Sequence, residues 1–293
     1  MAGVRSWAPA AAALAAAAVL LVLAGGHGAE AASKKKKRKP PEPTAVPRPP
    51  DPNRVTIPTA DGVALAGSWR PLVERPTAPA VLLVHDFSRD RRDWDGLYGA
   101  FAARGMATLS IDLRAHGEST KKNGVVLKIS PRQMSDPAGF PRDVEAACAW
   151  LRTKSPKVGV VGLSLGGNLA VLASARGWAD AAVVVSANSE RLEPLAGGKP
   201  AAARATLFIA SEEAPQRAGS AKALLATAAE PKKLLLVPGS AHNLVLLEDH
   251  PEAMEAMLDW FVRQLGAAPV TSMSAGPSPT PTSTPTPVPA PKS

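Results

Sequence analysis

The sequence predicts an α/β domain: a mostly parallel central sheet with helices on both faces. Three observations carry this. Short continuous apolar runs such as Val81–His85 (Val-Leu-Leu-Val-His) alternate along the chain with segments of helical periodicity. Such runs are the pattern of strands buried on both faces, which is how parallel sheets pack. The 30 prolines crowd toward the two ends and leave a stretch of chain long enough for one well-packed core.

The predicted elements run in this order. Arg54–Ile57 and Ala64–Arg70 alternate around Asp61-Gly62 and form an N-terminal antiparallel hairpin. Val81–His85 is the first buried strand, Trp94–Ala103 a helix closed by Gly105, and Met106–Ile111 the next strand. Pro141–Lys154 is helical, with Val144, Ala147, Cys148 and Leu151 on one face. Val158–Leu163 is a strand and Leu165–Arg176 a helix of small residues. Strands at Ala181–Ser186, Thr206–Ala210 and Leu234–Val237 and helices at Ala218–Ala229 and Pro251–Gln264 complete the domain, set at residues 54–266. Only Ala187–Ala205 separates two of the late strands, so any cap over the sheet is minimal. In such sheets ligands bind at the carboxyl ends of the strands.

The formal net charge of +9 is unevenly spread. Residues 1–53 hold eight basic and three acidic side chains, and residues 267–293 only Lys292. The domain is nearly balanced, which argues against a nucleic-acid partner. The single cysteine, Cys148, permits no internal disulfide and reads as a buried structural thiol.

Residues 1–31 read as a secretory signal peptide: Arg5, an apolar run from Trp7 to Ala24, and a small-x-small pattern at Ala29-Glu30-Ala31. Cleavage after Ala31 is the first reading and cleavage at Ala24-Gly25-Gly26 the second. The alternative is an uncleaved anchor, because the run is about the minimum for a span and Lys34–Lys39 follows it. The expected location is therefore outside the cytoplasm, exported or membrane-anchored. Residues 32–53 form a basic, Pro-rich linker, whose Lys34–Lys39 run suits contact with an anionic membrane or cell envelope. Residues 267–293 are a Pro/Ser/Thr-rich tail with the composition of a disordered segment.

The strongest chemical signal is Gly162-Leu163-Ser164-Leu165-Gly166, a G-x-S-x-G sequence between an apolar strand and a helix. A nucleophile held in a tight strand-to-helix turn needs glycine at the flanking positions. Ser164 is the candidate nucleophile, and the amide of Leu165, at the helix start, a candidate oxyanion donor. A serine hydroxyl needs a base. His242 follows the last strand by the short loop Pro238-Gly239-Ser240-Ala241 and fits the chain order serine, acid, histidine.

These residues resemble the α/β-hydrolase superfamily, over essentially all of residues 54–266. The likeness rests on Gly162–Gly167, on Asp112-Leu113-Arg114-Ala115-His116-Gly117-Glu118-Ser119, and on Val84-His85 with Trp94. The small uncapped layout is similar to dienelactone-hydrolase-like esterases, which often use cysteine where this chain has Ser164. In the Asp112 stretch Ala115 replaces a family glycine. The resemblance implies that Asp112, Arg114 and His116 shape a loop and form neither a metal site nor a triad. It implies that Phe87 supplies the second oxyanion amide. Asp86, however, stands where the family has glycine, so its carboxylate must point away or the hole is built differently.

The family's triad acid falls just after the strand at Thr206–Ala210. There the chain reads Ser211-Glu212-Glu213-Ala214, and Glu213, with Glu212 next, is the candidate. The implied activity is hydrolysis of a small-molecule carboxylic ester or thioester, with no metal and no organic cofactor. The alternatives are a weakened or non-catalytic binding or regulatory module on the same fold, and a peptidase or acyltransferase using the same groups. The Thr120–Gly139 loop is a candidate wall of the pocket.

Overall fold

A computed structural model describes residues 49–127 and 139–268. The expected signal peptide, the basic linker up to residue 48, the tail from residue 269 and most of the Thr120–Gly139 loop lie outside the described residues.

Strand β1 (Arg54–Pro58) pairs antiparallel with β2 (Ala64–Arg70), the expected hairpin. β2 pairs antiparallel with β4 (Ala107–Ile111). From β4 onward every neighbour is parallel: β3 (Ala80–Val84), β7 (Val158–Leu163), β8 (Ala181–Val185), β9 (Thr206–Ser211) and β10 (Lys232–Val237). The eight-stranded order is β1-β2-β4-β3-β7-β8-β9-β10. A separate two-strand ribbon, β5 (Lys121–Lys122) with β6 (Val125–Val126), opens the Thr120–Gly139 loop.

The apolar runs are continuous because both sheet faces are covered. Alternate residues of one strand enter different cores: Ala80, Leu82 and Val84 join one, Val81 and Leu83 the other. The first core receives α2 (Gly139–Arg152), α3 (Leu165–Ala175), the short α4 (Leu192–Ala196) and α5 (Pro215–Thr227). The second receives α1 (Tyr98–Ala103), α6 (Asn243–Asp249) and α7 (Pro251–Leu265). Cys148 is buried in the first core, and burial pushes its thiol up to about 12, the inert state expected of a structural thiol.

Several elements depart from the expectation. The Trp94–Ala103 helix is a 3-10 turn at Arg91–Trp94 followed by α1, because Asp90 caps the turn through the Arg92 N–H at 2.9 Å. The helix expected at Ala218–Ala229 starts earlier, with Pro215 at its first position, where a missing N–H costs nothing. Helix α6, directly after His242, was not anticipated; seven residues are too few to show a period.

Candidate active site

Ser164 ends β7 and opens α3 with φ 49° and ψ −102°, a region that non-glycine residues seldom occupy. The turn is tight enough to exclude side chains on both sides. A Cβ on Gly162 would lie 1.9 Å from the Gly166 carbonyl oxygen, and one on Gly166 would lie 2.4 Å from the Val84 carbonyl oxygen. The first glycine thus lets the strand meet its own helix, and the second lets the helix start press against the end of β3. Leu165 is the first residue of α3, so its N–H has no acceptor within the helix and points with the helix dipole.

The end of β3 carries His85, Asp86 and Phe87. His85 is fully buried; its Nε2 accepts the Leu113 N–H at 3.0 Å and its Nδ1 lies 2.6 Å from the Asp86 carbonyl. These partners define a neutral ring protonated on Nδ1. Burial, against the Asp86 carbonyl's opposing pull, drives the imidazole down to about 4. The Asp112 loop supports the same region. The His116 ring packs on His85 at 5.0 Å and edge-on to Phe87 at 5.4 Å between centroids. Asp112 accepts the backbone N–H groups of Arg91 and Glu118, and Arg114 binds both Asp143 and Asp61. All three therefore have structural roles, as the sequence implied. Ala115 adopts φ 61°, the left-handed backbone that explains a glycine at this place in the family.

Asp86 does not point away. Its Oδ1 accepts the Phe87 N–H at 2.6 Å, and its Oδ2 accepts from Asn243 Nδ2 at 2.7 Å. This corrects the expectation for Phe87: its amide is already engaged by the preceding side chain. Among the described residues the Leu165 N–H has no protein acceptor outside its helix.

His242 is the N-cap residue of α6 and is exposed. Its neighbours fix its place. Ser211 Oγ, at the end of β9, donates to the Ala241 carbonyl; the Asn243 N–H donates to Ser186 Oγ, just beyond β8, at 3.1 Å. Asn243 itself has φ 58° and is tied to Asp86. His242 is thus carried between anchors to the carboxyl ends of β9, β8 and β3, the edge at which Ser164 stands.

Glu213 meets this loop through its backbone, donating its N–H to the Gly239 carbonyl at 2.9 Å; Glu212 does the same to Val237 at 2.9 Å. Both side chains are exposed. Among the described residues no carboxylate hydrogen-bonds His242, so the structure does not join Glu213 to the histidine as an orienting acid would be joined.

Ser164 opens into a cavity of about 390 Å³. Its described walls are Phe87, Leu165, Asn168, Asn188, Arg191 and Arg217. Residues 120–127 of the loop expected as a wall contribute nothing to it. Instead the short segment between β8 and β9 forms one side. Asn168, buried in α3, clamps that segment with two bonds: Nδ2 to the Asn188 carbonyl at 2.9 Å, and Oδ1 from the Asn188 N–H at 3.0 Å. Sequence reasoning missed this clamp and the two arginines. A lone asparagine in a helix of small apolar residues was the available signal. So was Arg217 in the first turn of α5, where the helix dipole disfavours a cation.

Solved structures share this architecture. A dienelactone hydrolase from Anabaena variabilis superposes with a TM-score of 0.55 at 21% identity, covering 72% of this chain and 97% of that one. An esterase from Pyrococcus furiosus gives 0.52 at 18%, covering 73% and 90%. A lidless α/β serine hydrolase from Xanthomonas campestris gives 0.55 at 16%, covering 76% and 99%. At these identities the likeness is one of fold. Among curated proteins none matches the sequence. The sequence profile described as "Alpha/beta hydrolase family" matches residues 81–287, most of the chain, and with the elbow at Ser164 and the sheet order above, the chain belongs to the alpha/beta hydrolase family.

Proposed function

We propose that the protein is a serine hydrolase of carboxylic esters or thioesters, acting through an acyl-enzyme on Ser164. The observation that carries this is the strained turn of Ser164 between two obligatory glycines, opening into a cavity. Ser164 Oγ attacks the acyl carbonyl while His242 takes its proton. The tetrahedral oxyanion is held by the Leu165 N–H. His242 returns the proton to the departing alkoxide or thiolate, leaving the acyl group on Ser164. Water, deprotonated by His242, then attacks the ester, and the carboxylic acid leaves as Ser164 regains its proton. Glu213 is the candidate orienter of His242, from the loop to which its amide is bonded. The protein acts outside the cytoplasm after export by residues 1–31, and the basic linker at Lys34–Lys39 touches an anionic surface.

A second reading, a weakened or non-catalytic member, is favoured by one observation: Asp86 accepts the N–H of Phe87, the amide expected to bind the oxyanion. Hydrolysis of short-chain nitrophenyl esters and of acyl thioesters by the purified protein separates the two. Turnover lost in Ser164→Ala and in His242→Ala supports the enzyme; turnover indifferent to both supports the second reading.

A further inference from the structure

The cavity beside Ser164 has two arginines in its wall, Arg191 and Arg217, and no carboxylate among its described lining residues. Several other arginines of the domain find acidic partners: Arg89 with Asp93, Arg104 with Asp259, Arg152 with Asp180. Arg191 and Arg217 have none among the described residues. Two guanidinium groups on one cavity wall, neither with an acidic partner there, suit an anion that can bond to both.

Their positions are built. Arg191 ends a 3-10 turn (Ser189–Arg191) whose N-cap, Asn188, accepts the Glu190 N–H at 3.0 Å. Asn188 is in turn gripped by Asn168, four residues after Ser164 in α3. Arg217 lies in the first turn of α5, and α5 is joined to the same 3-10 turn by Ser189 Oγ to Ser220 Oγ at 3.2 Å. The nucleophile and both cations therefore sit on one hydrogen-bonded frame. His242 is not among the cavity's described walls. A leaving group must depart toward the histidine that protonates it, so the arginine-lined cavity is left for the acyl part.

We propose that this cavity is an acyl-binding site for a carboxylate-bearing acyl chain, so that the substrates are half-esters or half-thioesters of dicarboxylic acids. The inference rests on the serine hydrolase reading for its catalytic consequence, but the anion site stands on its own geometry. The guanidinium forks match a terminal carboxylate, and a cavity of about 390 Å³ has room for a short acyl chain.

The test uses the full chain and two substrates that differ by one methyl group: the methylumbelliferyl half-ester of adipic acid and its methyl-capped, neutral counterpart. The expected result is a kcat/KM at least about tenfold higher for the anion. That ratio should collapse toward unity in Arg191→Gln/Arg217→Gln and recover in part in Arg191→Lys/Arg217→Lys. Reading a ratio within each variant cancels any loss of folded protein. In parallel, calorimetry on Ser164→Ala compares monomethyl adipate with dimethyl adipate, and the anion should bind more tightly only while the arginines are present. If no ester is turned over but this binding difference holds, the hydrolase reading fails and the anion site stands. Equal kcat/KM for the two esters, equal or absent binding of the two adipates, or a preference that survives the double glutamine variant would overturn the proposal.

Discussion

Asn243 Nδ2 donates to Asp86 Oδ2 at 2.7 Å, joining the loop that carries His242 to the end of β3 across 157 residues of chain. The other oxygen of the same carboxylate holds the Phe87 N–H. Asp86 therefore anchors the histidine loop and engages the Phe87 amide at once. Asp86→Asn keeps an acceptor oxygen for one of these two N–H groups and removes the charge that the proposed mechanism would meet as an oxyanion develops at Ser164. We expect kcat on a neutral ester to rise about tenfold while stability stays within about 1 kcal/mol. Steady-state rates and a urea denaturation curve measure both; a fall in kcat would instead assign Asp86 to supporting His242.

Ala115 holds a left-handed backbone at φ 61° in the Asp112 loop. An alanine pays about 1 kcal/mol or more there, partly offset by the greater freedom glycine has when unfolded. Ala115→Gly should stabilise the protein by up to about 1 kcal/mol, read as an upward shift of the thermal midpoint by about 2 °C.

His85 is neutral in the fold, with burial pushing its imidazole down to about 4 against an ordinary 6.5. Below pH 6.5 the unfolded chain binds a proton that the folded one refuses. The stability His85 contributes is complete above about pH 6.5 and is lost as pH falls toward 4, on the order of 3 kcal/mol in all. Burial also lowers His116, in the same sense, whereas burial raises the Asp143 carboxyl to about 6 against the pull of Arg114, in the opposite sense. The informative quantity is thus a difference. The destabilisation caused by His85→Gln, which cannot be protonated, should shrink steadily from pH 7 to pH 4.5 in denaturant titrations. A constant difference would contradict a depressed His85.

Asn168 and Asn188 form a reciprocal pair of hydrogen bonds behind the elbow. Asn168→Ala removes both and leaves the Asn188 amide without its partner. We expect a loss of about 2 kcal/mol, by chemical denaturation. A change below about 0.5 kcal/mol would show that water replaces the clamp.

The parts of this protein that were legible in its sequence are those governed by local rules. Strands such as Ala80–Val84 and Val158–Leu163 are apolar throughout because two helical layers cover them. Gly162 and Gly166 announce the elbow because any Cβ there meets backbone. What escaped depends on contacts distant in sequence. The bond from Asp86 to Asn243 links two loops that no spacing rule connects, so the engagement of the Phe87 amide could not be foreseen. Asp112 and Arg114 were legible as structural only through a family likeness; their partners, Arg91, Asp61 and Asp143, lie far along the chain. Nothing in the sequence pairs Arg191 with Arg217; the fold places both in one cavity wall.

The account turns on Ser164 being the nucleophile. A fluorophosphonate probe reacts with an activated serine, and digestion with mass spectrometry locates the adduct. The account predicts one adduct, on Ser164, formed at neutral pH, absent in Ser164→Ala and strongly slowed in His242→Ala. An intact Ser164 after prolonged exposure, or an adduct that survives Ser164→Ala, would contradict it.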